Sequence, residues 1–278
     1  MPTALLFLNS ALRRLSLGNW TWLFVLLLTL RITSAEPVAV RHREGTLHGF
    51  LLVRTLAGTA IATGDLIQVP QGDRINSRLV FRFKDGSIDD ETTVYSQNGV
   101  FRLISDHHVQ RGPSFPTPID MSIETATGQV TIHSIDGNGK DRVTNDHFDF
   151  PADLANGLVP TLLKNLQRNT PETKVSFLTV DPKPLLVKLA ISAGGEERFS
   201  LGDSHRTAIR YVLKVELGGV LGLLAPVVGK QPPDYQIWIL GGEAPTFLKW
   251  QGPAYESGPI WITELTSPVW PDEPHSGP

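Results

Sequence analysis

The stretch Arg74–Gly99, RINSRLVFRFKDGSIDDETTVYSQNG, decides the fold of this chain. In its first half, Leu79, Phe81 and Phe83 fall on one side of an extended chain and basic residues fall on the other, which is typical of a half-buried strand. An Asp-Gly pair and an Asn-Gly pair end the two halves. Such pairs favour two-residue hairpin turns because both central positions need a positive φ. The stretch therefore predicts two long antiparallel strands joined by a tight turn.

Turns of this kind recur on the N-terminal side of the stretch. Glycines at Gly58, Gly72, Gly86 and Gly99 are spaced by 14, 14 and 13 residues. At about 3.3 Å per residue, ten-residue strands between them would be roughly 33 Å long, about twice the usual strand length. We therefore predict an all-β, mainly antiparallel fold, a long-stranded and strongly curved meander or incomplete barrel. An outer-membrane barrel is the architectural alternative.

One helix interrupts the strands. Leu154, Leu158, Leu162 and Leu166 recur every four residues, which predicts an amphipathic helix over about 151–167. A proline inside this stripe, Pro160, is expected to kink or split the helix because it removes a backbone donor. Strands then resume as far as residue 265.

The helix is expected to pack across the concave side of the sheet or along one open edge. If it covers the concave side, its leucines form either a simple core or a cleft for an elongated apolar ligand. The ligand-binding residues predicted on this second alternative are Leu79, Phe81, Phe83, Phe101, Leu103, Leu154, Leu158 and Leu162.

The N-terminus predicts export. Arg13 and Arg14 precede an apolar run of 11 residues, Trp20–Leu30, and small residues before Glu36 offer a cleavage site near Ala35. The run is shorter than the roughly 20 residues that cross a bilayer, so we expect no transmembrane anchor after cleavage. The prediction is a signal peptide over 1–35, one β-rich domain over 36–267 and a disordered tail over 268–278, in a periplasmic or secreted protein.

The charge and the cysteine content of the chain exclude several classes of function. Without the predicted signal peptide, 22 Lys and Arg face 28 Asp and Glu, a net charge of −6, which argues against nucleic-acid binding. The absence of cysteine excludes disulfides, thiolate metal sites and a cysteine nucleophile. We expect neither a cofactor nor a metal.

Polar clusters offer candidates for catalytic residues. In Asp106-His107-His108, the alternation places His107 on the face of Phe101 and Leu103 and its two neighbours on the other, so the two imidazoles cannot share one metal ion. His107 with Asp106 or Asp146 is the candidate acid–base group. The acidic run that begins at Asp89 is interpreted as a solvated outer face.

The segment 217–229 is rich in glycine and free of charge. It predicts either a buried hairpin or an exposed apolar lip that contacts a membrane or a partner. The contact residues on the second interpretation are Val220, Leu221, Leu223 and Leu224.

The segment 217–247, LGGVLGLLAPVVGKQPPDYQIWILGGEAPTF, together with Ser105-Asp106-His107-His108, resembles an exported bacterial β-rich domain family of unknown function. More loosely, long strands with an inserted helix resemble the periplasmic lipoprotein carriers, which implies a half-barrel that binds acyl chains under a helical lid. The motifs of the first family have no established chemical role, so they transfer no functional residues, and the second resemblance is one of fold alone.

Three hypotheses of function follow. The leading hypothesis is an exported, non-catalytic, carrier-like protein that binds an apolar ligand or an envelope partner. The second is an envelope hydrolase or other enzyme that uses His107. The third is a scaffold or assembly protein. Oligomeric state and ligand identity are open at this point.

Overall fold

The computed structural model describes residues 37–135, 140–180, 183–201, 204–216, 233–255 and 258–266. Contacts divide the chain into Met1–Ser34 and Ala35–Pro278, and the fold described below belongs to the second unit. Its elements are β1 (Leu47–Thr55), β2 (Ala60–Gln71), β3 (Arg74–Phe83), β4 (Ile88–Asn98), β5 (Val100–Arg111), β6 (Ile119–Glu124), β7 (Gln129–Ile135), β8 (Asp141–His147), α1 (Val159–Asn165), β9 (Thr173–Thr179), β10 (Leu185–Leu201), β11 (Ser204–Glu216), β12 (Tyr235–Leu240), β13 (Thr246–Pro253) and β14 (Ile260–Thr266).

All strands of the described residues belong to one antiparallel sheet of 14 strands. Its order is β8-β7-β6-β5-β4-β3-β2-β1-β14-β13-β12-β11-β10-β9. The first and last strands of the chain pair with each other, so the edges lie in the middle of the sequence, at β8 and β9. The sheet is not closed into a barrel, and the predicted all-β, long-stranded incomplete barrel is confirmed.

The predicted turns lie where the glycines place them. Gly58, Gly72, Gly86 and Gly99 all have positive φ, between 65° and 87°. Side chains other than glycine rarely adopt this conformation, which is why the regular glycine spacing marked the strand ends.

The helix is shorter than predicted. It spans only Val159–Asn165, and the residues from 152 to 158 form two turns and an isolated bridge from Leu154 to Ser176 instead. Pro160 lies in its first turn, where a missing N–H costs nothing, so the proline begins the helix and does not kink it. The prediction of a helix over 151–167 is therefore wrong in its extent, although the leucines of the stripe do face the interior.

The turns before α1 cover the edge of β9. Ser176 accepts a backbone hydrogen bond from Ala155 and donates one to the Asp153 carbonyl oxygen (2.9 and 3.1 Å). The Asp153 carboxylate accepts from the Ser176 hydroxyl and from Lys188 Nζ, each at 2.9 Å. A sheet edge that is paired and capped in this way is protected from pairing with other chains.

In the part of the chain that the structure describes, two apolar clusters form the interior. The larger one packs α1 and the turns before it against β3 to β7 and β9 to β12, and it includes Phe101 and Leu103. The smaller one contains Phe81 and Phe83, with Leu79 packed against it. The prediction that one helix covers all five residues is therefore wrong. Phe101 lines a depression with Leu158 and Leu162, and Leu103 belongs to the same larger cluster, whereas the other three residues lie in or against the second cluster.

Asn165 fixes the chain before β1 to the end of α1. Its side-chain oxygen accepts hydrogen bonds from the backbone N–H groups of Arg41 (2.8 Å) and His42 (2.7 Å). Its amide nitrogen donates to the Thr161 carbonyl oxygen at 2.9 Å. The side chain thus satisfies groups on two separate segments.

Replacing Asn165 by Ala should lower the free energy of unfolding by about 1–3 kcal/mol, because two backbone donors lose their acceptor. Urea denaturation monitored by circular dichroism measures the change. Asn145→Ala is the control, since that side chain lies in exposed hydrogen bonds on β8 and its loss should cost less than about 0.5 kcal/mol. Equal losses in the two variants would contradict the role given to Asn165.

Within the described residues, no helix has the length and hydropathy needed to cross a bilayer. The predicted signal peptide, the segment Val220, Leu221, Leu223 and Leu224, and the predicted tail lie outside the described residues. Those predictions remain untested.

Candidate functional site

A β-bulge in β5 determines which polar residues face the interior. Val94 pairs with Ser105 and Tyr95 pairs with Leu103, which leaves Ile104 as an extra residue on β5. An extra residue in one strand reverses the alternation of side chains beyond it. Everything after Ile104 in β5 therefore points to the side opposite to the one predicted from Phe101.

His107 consequently lies on the outer face. Its side chain is 52% exposed, and its Nε2 is 3.0 Å from Asp120 Oδ1. Asp106 faces the interior and is 2% exposed. The prediction that His107 shares the face of Phe101 is wrong, because the bulge lies between them.

Asp146, the other proposed partner of His107, lies on β8 opposite Val130. The described hydrogen bonds and ion pairs of His107 and Asp106 do not include it. The structure does not bring the three candidate catalytic residues together.

The bulge instead creates an interior polar cluster on β4 and β5. Three pairs of directly opposite residues compose it: Asp89 with Gln110, Glu91 with His108, and Thr93 with Asp106. Side chains that lie directly opposite on one face are close enough to interact. We call these six residues the interior polar cluster.

Hydrogen bonds join most of the interior polar cluster. His108 Nε2 lies 2.8 Å from Asp89 Oδ1, and Gln110 Nε2 donates to Asp89 Oδ2 at 3.0 Å. Thr93 Oγ1 donates to Asp106 Oδ1 at 2.9 Å. Asp89 thus has two donors, whereas Asp106 has one.

The remaining carboxylate oxygens lack donors. Asp106 Oδ2 is buried and has no hydrogen-bond partner in the described part of the chain. No described residue donates a hydrogen bond to the Glu91 carboxyl group. A buried carboxylate without donors is costly, and it favours the protonated form or a cationic neighbour.

The pKa values of these groups follow from this arrangement. Burial, and then the charge of Asp106, raises the pKa of Glu91 to about 8. Burial also raises the pKa of Asp106 to about 6, although His108 and the Thr93 hydrogen bond oppose that rise. For His108, burial lowers the pKa, but the hydrogen bond to Asp89 and the nearby carboxylates outweigh it and raise the pKa to about 9.

The surroundings of the interior polar cluster are apolar or uncharged. On β3, Leu79 and Ser77 lie opposite Glu91 and Thr93. On β6, Met121 and Ile123 pair with His108 and Asp106. No further charged side chain on these strands faces the cluster to balance its carboxylates.

Gly157 closes the cluster on the side of α1. A Cβ atom added at Gly157 would lie 2.0 Å from Thr93 Oγ1, and the residue has a φ of +67°. Only glycine fits both the backbone conformation and this contact. The turn before α1 therefore packs directly on the hydroxyl that donates to Asp106.

The cluster reaches solvent at its other end. The side chains of Asp89 and His108 are 21% and 23% exposed, whereas Asp106 is fully enclosed. Among the described residues, no group of three or more His, Asp and Glu side chains has the arrangement needed to hold a metal ion. The arrangement can bind hydrogen-bond donors and positive charge.

The space beneath α1 is filled. The depression lined by Val38, Phe101, Leu154, Leu158 and Leu162 has no room for a water molecule. In this structure those residues form core, and they line no open cleft for an acyl chain.

Sequence reasoning missed Asp89 and Glu91, which were placed on a solvated outer face. The outward residue is Asp90, whose carboxylate binds Arg78 at 2.6 Å. The sequence contains a signal for the interior position of Asp89 and Glu91. Side chains alternate along a strand, so both residues lie on the same face as Tyr95, which is buried.

Comparison with known proteins gives no functional assignment. No family model matches the chain, and no curated protein matches it. Among solved structures, the chain is similar to a β-barrel-like protein of a domain of unknown function, DUF1849, from Brucella abortus. The two chains are 9% identical, the match covers 81% of this chain and 97% of the other, and the TM-score is 0.43.

Proposed function

We propose that this chain is an exported, non-catalytic binding protein, and that its binding site is the interior polar cluster. The observation that carries the proposal is the buried Asp106 Oδ2, which has no hydrogen-bond partner among the described residues. Native proteins pair almost all buried polar atoms, so an unpaired one calls for an explanation. A ligand that supplies the missing donor is the explanation we favour.

An enzymatic role has less support. His107, the predicted acid–base group, is bonded to Asp120 on the outer face. His108 lies in the cluster, but its raised pKa keeps the imidazole protonated at neutral pH, and a protonated imidazole cannot act as a general base. The hydroxyl of Thr93 is buried against Gly157 and already donates its hydrogen bond to Asp106.

The carrier hypothesis also has less support than binding at the cluster. The residues predicted to bind an acyl chain beneath α1 pack against one another with no space for water. An apolar ligand would have to displace α1 from its core, at the cost of the contacts made by Leu158 and Leu162.

Native mass spectrometry of protein purified from its own cell envelope tests the proposal. We expect a small molecule to be retained by the wild type and lost from the Glu91→Gln, Asp106→Asn double variant. Asp90→Asn is the matched control, because Asp90 is adjacent on β4 but lies on the outer face. It should retain the molecule.

Two outcomes would contradict the proposal. A wild type that carries no small molecule, but only a second subunit, would favour the scaffold hypothesis. A bound fatty acid that is lost on mutation of Leu158 and retained in the cluster variant would restore the carrier hypothesis.

A further inference from the structure

We propose that the interior polar cluster binds a compact organic cation with N–H donors, such as a primary ammonium group, in exchange for protons. This inference rests on the proposed function and names the class of its ligand.

The first argument is a charge imbalance. Three carboxyl groups, Asp89, Glu91 and Asp106, share one cationic side chain, His108. His108 hydrogen-bonds only Asp89, so the other two carboxyl groups have no cation in direct contact among the described residues. The cluster is therefore short of positive charge at Glu91 and Asp106.

The second argument is the missing donor. Asp106 Oδ2 accepts no hydrogen bond and is enclosed, whereas Asp106 Oδ1 accepts one from Thr93. A neutral acceptor would leave that oxygen unsatisfied, and an anion would repel it. A cationic N–H group satisfies both the charge and the hydrogen bond.

The third argument distinguishes an organic cation from a metal ion. Metal sites need several ligand atoms at fixed short distances from one point, and the described side chains include no such group. An ammonium group needs only acceptors for its three hydrogens. The carboxyl groups of Asp106 and Glu91, which belong to adjacent pairs on β4 and β5, supply acceptors of that kind.

Binding of a cation should release a proton. Glu91 holds its proton near neutral pH, and a positive charge beside it favours the carboxylate. The proton and the cation compete for the Glu91 carboxylate. At pH 6, two units below a pKa of about 8, only about one Glu91 side chain in a hundred is ionised. The apparent affinity for the cation at pH 6 should therefore be about 100-fold lower than at pH 9.

Isothermal titration calorimetry with methylammonium chloride tests the inference. Titrations at pH 6 and pH 9, in buffers of different ionisation enthalpy, give both the affinity and the number of protons released. Tetramethylammonium chloride at the same ionic strength is the control ligand, because it carries the charge without an N–H donor. We expect methylammonium to bind with proton release and tetramethylammonium not to bind.

Variants locate the site. Glu91→Gln should weaken methylammonium binding at pH 9 by about tenfold and remove most of its dependence on pH, because the proton that competes at Glu91 is gone and only Asp106 and His108 still titrate. Asp90→Asn should change neither property. Circular dichroism of each variant verifies that the fold is retained.

The inference is overturned if methylammonium does not bind, if tetramethylammonium binds equally well, or if Glu91→Gln leaves the pH dependence intact. These outcomes are separate from those that test the proposed function. A small molecule that is lost from the double variant in mass spectrometry, with no methylammonium binding, would retain the binding site and reject the cationic ligand.

Discussion

Replacing Leu158 by Ala should lower the free energy of unfolding by about 2–5 kcal/mol. Leu158 is 1% exposed and lies in the core beneath α1, where no space remains for water. Deleting its three outer carbon atoms therefore leaves a cavity that the surrounding side chains can fill only in part. Urea denaturation measures the loss, and a fluorescent fatty-acid probe, added to folded protein, measures ligand uptake.

Leu56→Ala is the matched control for this experiment. Leu56 is 60% exposed at the turn after β1, so its truncation should change the free energy of unfolding by less than about 0.5 kcal/mol. Neither variant should alter uptake of the probe. If Leu158→Ala costs little stability and changes probe uptake, the region under α1 is a cleft and our interpretation of it as core is wrong.

The strand pattern could be predicted from the sequence because its signals are local. A glycine with positive φ ends a strand wherever the chain reverses, as at Gly86 and Gly99. The side-chain alternation of Leu79, Phe81 and Phe83 depends only on the period of an extended chain. These features require no knowledge of distant residues, and they sufficed for an antiparallel, long-stranded fold.

The bulge at Ile104 could not be predicted in this way. It is a mismatch between two strands, and it is visible only when the register of β4 against β5 is known. Because of this one extra residue, His107 lies on the outer face of the sheet and His108 lies on the interior face. The candidate site was therefore misplaced by one residue, although the strand that carries it was correctly identified.

The extent of the helix could not be predicted from the sequence for a similar reason. The four-residue spacing of leucines from Leu154 to Leu166 is real, but the first part of this segment bonds to β9 instead of forming a helix. The buried Asp153, held by Ser176 and Lys188, makes that alternative favourable. Lys188 is 35 residues away in the chain, and a local pattern cannot reveal such a partner.

The interior polar cluster also makes the stability of the protein depend on pH in an unusual direction. We expect the free energy of unfolding to fall by several kcal/mol between pH 5 and pH 9, because the pKa values of three groups in the cluster are raised in the folded protein and each unit of pKa displacement is worth about 1.4 kcal/mol. Many proteins show little change over this range and lose stability mainly in acid.

The sign follows from the direction of each shift. The pKa values of Glu91, Asp106 and His108 are all raised in the folded protein, to about 8, 6 and 9. Between its unfolded and folded pKa, each group binds more protons in the folded state than in the unfolded state. Raising the pH therefore favours unfolding across the whole window from about pH 4 to pH 9.

Groups on the outer face oppose this trend only in stronger acid. The hydrogen bond from Arg78 lowers the pKa of Asp90, so that the contribution of Asp90 is lost only as the pH falls below the usual range of a carboxylate. Stability should therefore reach its maximum near pH 4–5 and decline on both sides.

The Glu91→Gln variant distinguishes the contribution of the interior polar cluster to the pH dependence of stability from the contributions of all other titrating groups. The amide has nearly the same shape but cannot ionise, so the decline between pH 5 and pH 9 should become about half as steep, and the variant should be more stable than the wild type at pH 9. Asp90→Asn removes the neighbouring outward carboxylate and should leave the slope unchanged, although it loses the bond to Arg78. Urea denaturation at five pH values from 5 to 9 measures all three proteins. If the free energy of unfolding of the wild type stays level or rises from pH 5 to pH 9, the carboxyl groups near His108 do not have raised pKa values. The proposed binding site would then be wrong, because it depends on protonated carboxyl groups that lack hydrogen-bond donors.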